Sequence, residues 1–165
     1  MKIVAIFHSY KFTHFSHDRV KTNTPKSLTL SQKISALIFG VSNPRPENET
    51  TPKKGFEVVK LKSNKEIECW NIEVENPKGT VILFHGYSSE KSSLLEQSSL
   101  FNEMGYSTFL VDFMGSGGSE GNQTTIGFME AEQVKTSFQY IKEKETDIIY
   151  LYGSSLGAVA IMKSI

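Results

Sequence analysis

A serine with the surroundings of a nucleophile lies near the end of the sequence, in the segment GSSLG at residues 153–157. The segment fits the pattern G-x-S-x-G and follows an apolar run at residues 148–152, which is typical of a buried strand. A tight turn from that strand into a helix would present the Ser155 hydroxyl at the end of the sheet, and Gly153 and Gly157 would permit the close bend. We therefore predict that Ser155 is the nucleophile of an acyl-transfer reaction.

This segment has two other interpretations. G-x-S-x-G also occurs in ordinary small-residue turns, and only the strand before it and the helix after it favour the catalytic interpretation. Ser154 is the competing serine, but it occupies the wrong position of the pattern.

Backbone donors for the negatively charged oxygen of such a reaction are predicted at two places. The Leu156 N–H begins the helix that follows the serine, and the segment His85-Gly86-Tyr87 follows an earlier apolar run. We assign the second donor to the Tyr87 N–H, with Gly86 allowing close approach of the backbone. His85 is open to interpretation as a catalytic base, but we expect it to pack and hydrogen-bond beneath this loop.

A glycine-rich segment, DFMGSGGSEG, occupies residues 112–121. It lacks the third glycine of G-x-G-x-x-G, and no helix is predicted directly after it, so a dinucleotide site is rejected. Asp112 is a candidate for the acid of a catalytic triad. The favoured interpretation is that Asp112 caps and braces the loop.

The elements that must position these residues follow a repeating order. Short apolar runs at 81–84, 108–111 and 148–152 predict buried strands, and helices are predicted at about 91–104, at 128–144 and from Leu156 onward. This alternation predicts an α/β fold with a doubly wound, mostly parallel sheet. Two further strands, at 56–61 and 66–74, predict a hairpin at the sheet edge, the second of them half exposed.

Taken together, HGY at 85–87, DFMGSGGSEG at 112–121 and GSSLG at 153–157 resemble the α/β-hydrolase superfamily, in particular its serine esterases, lipases and aminopeptidase-like hydrolases. The resemblance covers roughly residues 56–165. It implies a sheet of the α/β-hydrolase type, truncated after the nucleophile helix. It also implies Ser155 as nucleophile, the N–H groups of Tyr87 and Leu156 as oxyanion donors, and supporting roles for His85, Gly86, Asp112, Gly153 and Gly157.

The superfamily also implies an acid and then a histidine after the serine. The ten residues that follow Ser155 include neither, and all four histidines precede it. We therefore expect residues 1–165 to be the amino-terminal fragment of a longer hydrolase and to be inactive alone. The alternatives left open are a non-catalytic binding protein of the same fold and a degraded remnant.

Composition limits the partners. The sequence contains 18 Lys and Arg residues and 18 Asp and Glu residues, a formal net charge of zero, which gives no long-range pull toward nucleic acid or an anionic membrane. We expect a small-molecule or peptide acyl substrate and no metal or organic cofactor. The single cysteine, Cys69, fits a cytoplasmic location.

Residues 1–55 are predicted to form an N-terminal extension, and residues 56–165 the amino-terminal part of the hydrolase domain. The extension is expected to begin irregularly, to form one helix near 30–39 that Thr29 and Gln32 cap, and to continue as a linker. Membrane association is left open, because the apolar start at residues 1–7 would suit the remainder of an anchor, and the aromatic residues at 12–15 would suit either packing on the domain or contact with a membrane surface. His8, His14 and His17 are interpreted as surface histidines rather than metal ligands.

Overall fold

The computed structural model describes residues 2–16, 28–53, 55–144 and 148–165. The chain divides into two compact units, Met1–Arg45 and Pro46–Ile165. The boundary predicted between residues 55 and 56 stays a prediction.

The first unit contains two helices, α1 (Lys2–Thr13) and α2 (Leu30–Phe39). The expected irregular start was wrong, because α1 begins at the second residue. Helix α2 has the capping box that the sequence indicated, with the Thr29 hydroxyl accepting from the Gln32 N–H and the Gln32 side chain accepting from the Thr29 N–H. Within the described residues, neither helix nor any other is long and apolar enough to cross a bilayer.

The second unit is built on a five-stranded mixed sheet in the order β1-β2-β4-β3-β5. The strands are β1 (Glu57–Lys62), β2 (Glu66–Ile72), β3 (Thr80–Phe84), β4 (Ser107–Val111) and β5 (Ile149–Gly153). β1 and β2 form the predicted antiparallel hairpin, β2 pairs antiparallel with β4, and β3 lies between β4 and β5 in parallel pairings. The predicted α/β sheet is therefore confirmed.

Two predictions of strand exposure were wrong. From Cys69 to Ile72 every residue of β2 is buried, because β2 lies inside the sheet between β1 and β4 and both of its faces are covered there. β5 was expected to be a buried strand, but its residues are partly exposed because it has a neighbour on one side only in the described sheet.

Helices cover both faces of the sheet, as a doubly wound fold requires. On one face, α4 (Glu130–Lys144) and α5 (Leu156–Ser164) contribute Val134, Ile141 and Ala160 to a core with the strands. On the other, a 3₁₀ turn at Lys91–Leu94 and α3 (Leu95–Glu103) cover Trp70, Leu83 and other strand residues. Met104, the residue that follows α3, is exposed.

Candidate active site

The three sequence motifs meet at one edge of the sheet. In the parallel pairing, Phe84 at the end of β3 lies opposite Val111 of β4 and Gly153 of β5. Because the three strands run in the same direction, the residues that follow them emerge at the same edge. The structure therefore brings the HGY segment, the glycine-rich loop and the GSSLG turn to the carboxyl ends of adjacent strands, where α/β folds bind their ligands.

Ser155 occupies a strained turn between β5 and α5. Its backbone has φ 49° and ψ −108°, a left-handed φ that residues other than glycine seldom adopt. The side chain makes no capping hydrogen bond to the helix that it precedes, and the residue is exposed. Strain of this kind costs about 1–3 kcal/mol and is concentrated at functional sites.

Close packing beneath the turn explains the two glycines of GSSLG. A Cβ on Gly153 would lie 2.5 Å from the Gly157 carbonyl carbon, and a Cβ on Gly157 would lie 2.4 Å from the Phe84 carbonyl oxygen. The Ser154 N–H donates to that same oxygen at 3.1 Å. The start of α5 is therefore pressed against the end of β3, which fixes Ser155 beside the loop after β3.

Gly86 lies directly beside the serine. A Cβ placed on Gly86 would be 3.7 Å from the Ser155 Cβ and 3.6 Å from the Ser154 carbonyl oxygen. The half-buried Tyr87 follows and packs against the core. The loop that carries the predicted Tyr87 donor and the turn that carries Ser155 and Leu156 are thus neighbours in space.

His85 is buried, and both of its ring nitrogens are engaged. Nε2 accepts from the Phe113 N–H at 3.0 Å, so Nδ1 carries the proton and donates to the Gly86 carbonyl oxygen at 2.8 Å. Burial lowers the pKa of His85, which favours this neutral form. The imidazole therefore links the HGY segment to the start of the glycine-rich loop, and its supporting role in the site stays a prediction.

Asp112 is fully buried, and its carboxylate receives four hydrogen bonds. Lys91 provides two, from its ammonium group to Oδ2 and from its backbone N–H to Oδ1 at 2.7 Å. Asn48 Nδ2 and the Gly118 N–H also donate to Oδ2, at 2.8 and 2.9 Å. The carboxylate thus connects Asn48 and Lys91 to the glycine-rich loop at Gly118, and the supporting role of Asp112 in the site stays a prediction.

Sequence reasoning missed the partners of Asp112. Lys91 is fully buried, donates to Glu68 Oε1 at 2.9 Å and lies 4.4 Å above the Trp70 ring. A lysine at the start of a predicted helix gives no sign of burial. The available signal was Asp112 itself, because an aspartate that ends a buried strand needs a nearby cation or several donors.

A second buried carboxylate, Glu130, organises the segment that leads into α4. It accepts from the Thr124 and Thr125 hydroxyls at 2.7 and 2.6 Å, and from the N–H groups of Thr125 and Gly127 at 2.9 and 3.0 Å. A Cβ on Gly127 would lie 2.8 Å from Cγ1 of Val159 on α5. The segment thus packs against the helix that follows Ser155, a support that the sequence did not reveal.

Among the described residues outside these motifs, the cysteine and histidine side chains are buried or make contacts of their own. Cys69 is buried in β2, and burial raises the pKa of its thiol well above the usual value, which disfavours the thiolate. Across the described residues no group of His, Cys, Asp and Glu is arranged to hold a metal ion. His8 bonds to the Leu37 carbonyl oxygen and His14 stacks on Tyr10, whereas His17 lies outside the described residues.

Comparison with known proteins agrees with this geometry. The model of the family described as serine aminopeptidase, S33, matches residues 75–165. Caffeoylshikimate esterase of Arabidopsis thaliana is 32% identical over 92 residues, which are 52% of this chain and 27% of that protein. The uncharacterized protein YqkD of Bacillus subtilis is 25% identical over 99 residues, 59% of this chain and 32% of that protein.

Among solved structures, the Pyrococcus furiosus esterase Pf2001 superimposes with a TM-score of 0.64 at 26% identity, over 73% of this chain and 51% of that one. The chain thus spans about a third or less of the two curated relatives and about half of this structure. The family match covers more than half of the chain and includes all three motifs. The resemblance inferred from the motifs is confirmed: the chain belongs to the serine aminopeptidase, S33, family of α/β hydrolases.

Proposed function

We propose that the protein is a serine hydrolase that cleaves an ester, thioester or amide through an acyl-enzyme on Ser155. The observation that carries this proposal is the Ser155 turn, where a non-glycine residue with φ 49° stands exposed at the start of α5. Ordinary small-residue turns do not need this strain, whereas a nucleophile that must stand clear of the sheet does.

The proposed reaction begins with attack of Ser155 Oγ on the substrate carbonyl carbon as a histidine takes the hydroxyl proton. The oxygen that becomes negative accepts hydrogen bonds from the Leu156 and Tyr87 N–H groups. Leu156 is the first residue of α5, so the positive end of the helix dipole also favours this charge. The histidine then protonates the leaving group, and water hydrolyses the acyl-enzyme by the reverse sequence of proton transfers.

The base is proposed to lie outside residues 1–165. His85 precedes the serine and has both ring nitrogens engaged, and Asp112 is committed to Lys91 and the glycine-rich loop. Hydrolases of this fold place the acid and then the histidine after the serine. Residues 1–165 alone are therefore expected to have little activity, because a serine without a base is a weak nucleophile at neutral pH.

Two of the similar proteins are named as esterases, so esters are the first substrates to test. The protein translated from the whole reading frame would be assayed with p-nitrophenyl butyrate. Ser155→Ala should lower kcat by about 10⁴-fold or more, whereas the matched control Ser154→Ala should stay within about tenfold.

The outcomes separate the three interpretations. Ser155→Ala enzyme that keeps its activity would refute the assignment of the nucleophile. A reading frame that supplies neither acid nor histidine, and a protein that binds esters or amides without turning them over, would favour the binding protein. Absence of both turnover and binding would favour a remnant.

A further inference from the structure

Charge is distributed unevenly between the two units, although the chain as a whole is neutral. Residues 1–45 contain seven Lys and Arg residues and one acidic residue, Asp18, a formal charge of +6. Residues 46–165 contain 11 basic and 17 acidic residues, a formal charge of −6. The N-terminal unit is therefore strongly cationic, a feature that the net charge of zero conceals.

Large apolar side chains of α1 face outward. Ile3, Ile6 and Tyr10 are spaced by three and four residues, so they lie on one face of the helix, and each is between 60% and 70% exposed. No residue of α1 is buried. The helix thus presents an apolar stripe, which we call the α1 stripe, next to the basic residues Lys2 and Lys11.

Helix α2 has a stripe of the same kind. Leu30, Ile34 and Leu37 are spaced by four and three residues and are 49% to 75% exposed. No residue of α2 is buried either, and Lys33 lies on the same helix. These three side chains form the α2 stripe. The two helices contact each other through other atoms, with Phe7 and Phe39 in an edge-to-face pair at 5.4 Å and His8 bonded to the Leu37 carbonyl oxygen at 2.9 Å.

We propose that the N-terminal unit binds the surface of an anionic lipid bilayer, with the α1 and α2 stripes inserted at the boundary between headgroups and acyl chains. Helices that lie in this boundary combine exposed apolar side chains with lysine and arginine, and their affinity sums apolar burial and attraction to anionic lipid. The unit has both features, and its one acidic residue offers little repulsion. A helix needs about 20 residues to cross the hydrocarbon core of a bilayer. Because α1 has 12 residues and α2 has 10, the two helices would lie along the membrane surface.

This inference does not depend on the Ser155 chemistry, so binding to vesicles rather than hydrolysis is the measurement. The protein would be sedimented with vesicles of phosphatidylcholine alone and with vesicles containing about one third phosphatidylserine. We expect at least about tenfold stronger partitioning onto the anionic vesicles, and a loss of about tenfold as salt is raised from about 50 to about 500 mM.

Matched variants separate the contribution of the apolar stripes from that of the basic residues. Ile6→Gln with Leu37→Gln should reduce partitioning by about tenfold or more, and glutamine keeps a good helix propensity. Lys2→Glu with Lys33→Glu should abolish the preference for phosphatidylserine. The control Val58→Gln replaces a side chain on β1 that is 52% exposed, and it should change nothing.

Circular dichroism of each variant would establish that the helices remain. Several results would overturn the proposal: absence of vesicle binding, equal binding to both lipid compositions, or an equal loss from Val58→Gln. Burial of the stripes in a dimer, seen as a concentration-dependent mass by sedimentation velocity that the stripe variants abolish, would also overturn it.

Discussion

Replacing Gly157 with alanine tests whether the close contact between α5 and β3 fixes the Ser155 turn. Gly157 lies inside a helix, where alanine is ordinarily more favourable than glycine by about 1 kcal/mol. Here the added Cβ would lie 2.4 Å from the Phe84 carbonyl oxygen, 2.9 Å from the Phe84 carbonyl carbon and 3.0 Å from the His85 carbonyl oxygen. The higher helix propensity of alanine would raise the free energy of unfolding, whereas the clash of its Cβ would lower it. The sign of the measured change therefore shows which effect is larger.

The clash should outweigh the helix propensity. Ordinary contacts begin at 3.4 Å, so the helix and the strand would have to separate by about 1 Å, and all three opposing atoms belong to the backbone and cannot rotate away. Overpacking of this severity costs about 3 kcal/mol, which leaves a net loss of about 2 kcal/mol after the gain in propensity. For a chain of this size that is a fall in Tm of about 4–8 °C.

Thermal and urea unfolding followed by circular dichroism would measure the effect. The matched control is Gly55→Ala, because a Cβ at Gly55 meets nothing within 4 Å, and its stability should change by less than about 0.5 kcal/mol. A Gly157→Ala protein that is as stable as the parent, or more stable, would show that the close contact between α5 and β3 does not constrain the turn.

Three further predictions concern the supports of the site. Ser155→Gly should be about 1 kcal/mol more stable than Ser155→Ala in urea unfolding, because glycine relieves the strain at φ 49° and no capping bond is lost; equal stabilities would show that the turn is not strained. Lys91→Met should cost about 3–5 kcal/mol because it leaves the Asp112 carboxylate buried without its cation, whereas Lys60→Met, which breaks an exposed ion pair, should leave the stability almost unchanged; similar losses would contradict this. Burial lowers the pKa of His85 in the folded state, so the unfolded state binds more protons as pH falls below about 6.5. The free energy of unfolding should then decrease with acidification across that range, and a His85→Gln protein with the same pH dependence would contradict the cause.

Much of the second unit follows from local sequence. β3 and β4 are mostly apolar because both strands are buried on both faces. The capping box of α2 and the spacing of apolar residues in α4 indicate those two helices. The three motifs could be placed at one sheet edge because parallel strands share a direction. Helix α1 was missed, because its apolar residues occur on several faces and no capping residue precedes it.

The failures have a common physical cause, which is that burial depends on residues distant in sequence. Trp70 and its neighbours on β2 are buried because β4 pairs with β2, and Lys91 is buried because Glu68 and Asp112 surround its ammonium group. Neither environment can be deduced from the local sequence around Trp70 or Lys91. Glu130 is similar, since its donors come from a loop that has no regular pattern.

The central claim is that Ser155 is the nucleophile, and covalent labelling tests it most directly. The protein from the whole reading frame would be treated with a fluorophosphonate ester, which modifies activated serines, and digested with trypsin. Cleavage after Lys144 and Lys163 yields one peptide, residues 145–163, that contains both Ser154 and Ser155. We expect fragmentation of this peptide to place the label on Ser155. A label on Ser154 or on another residue of an active enzyme would contradict it.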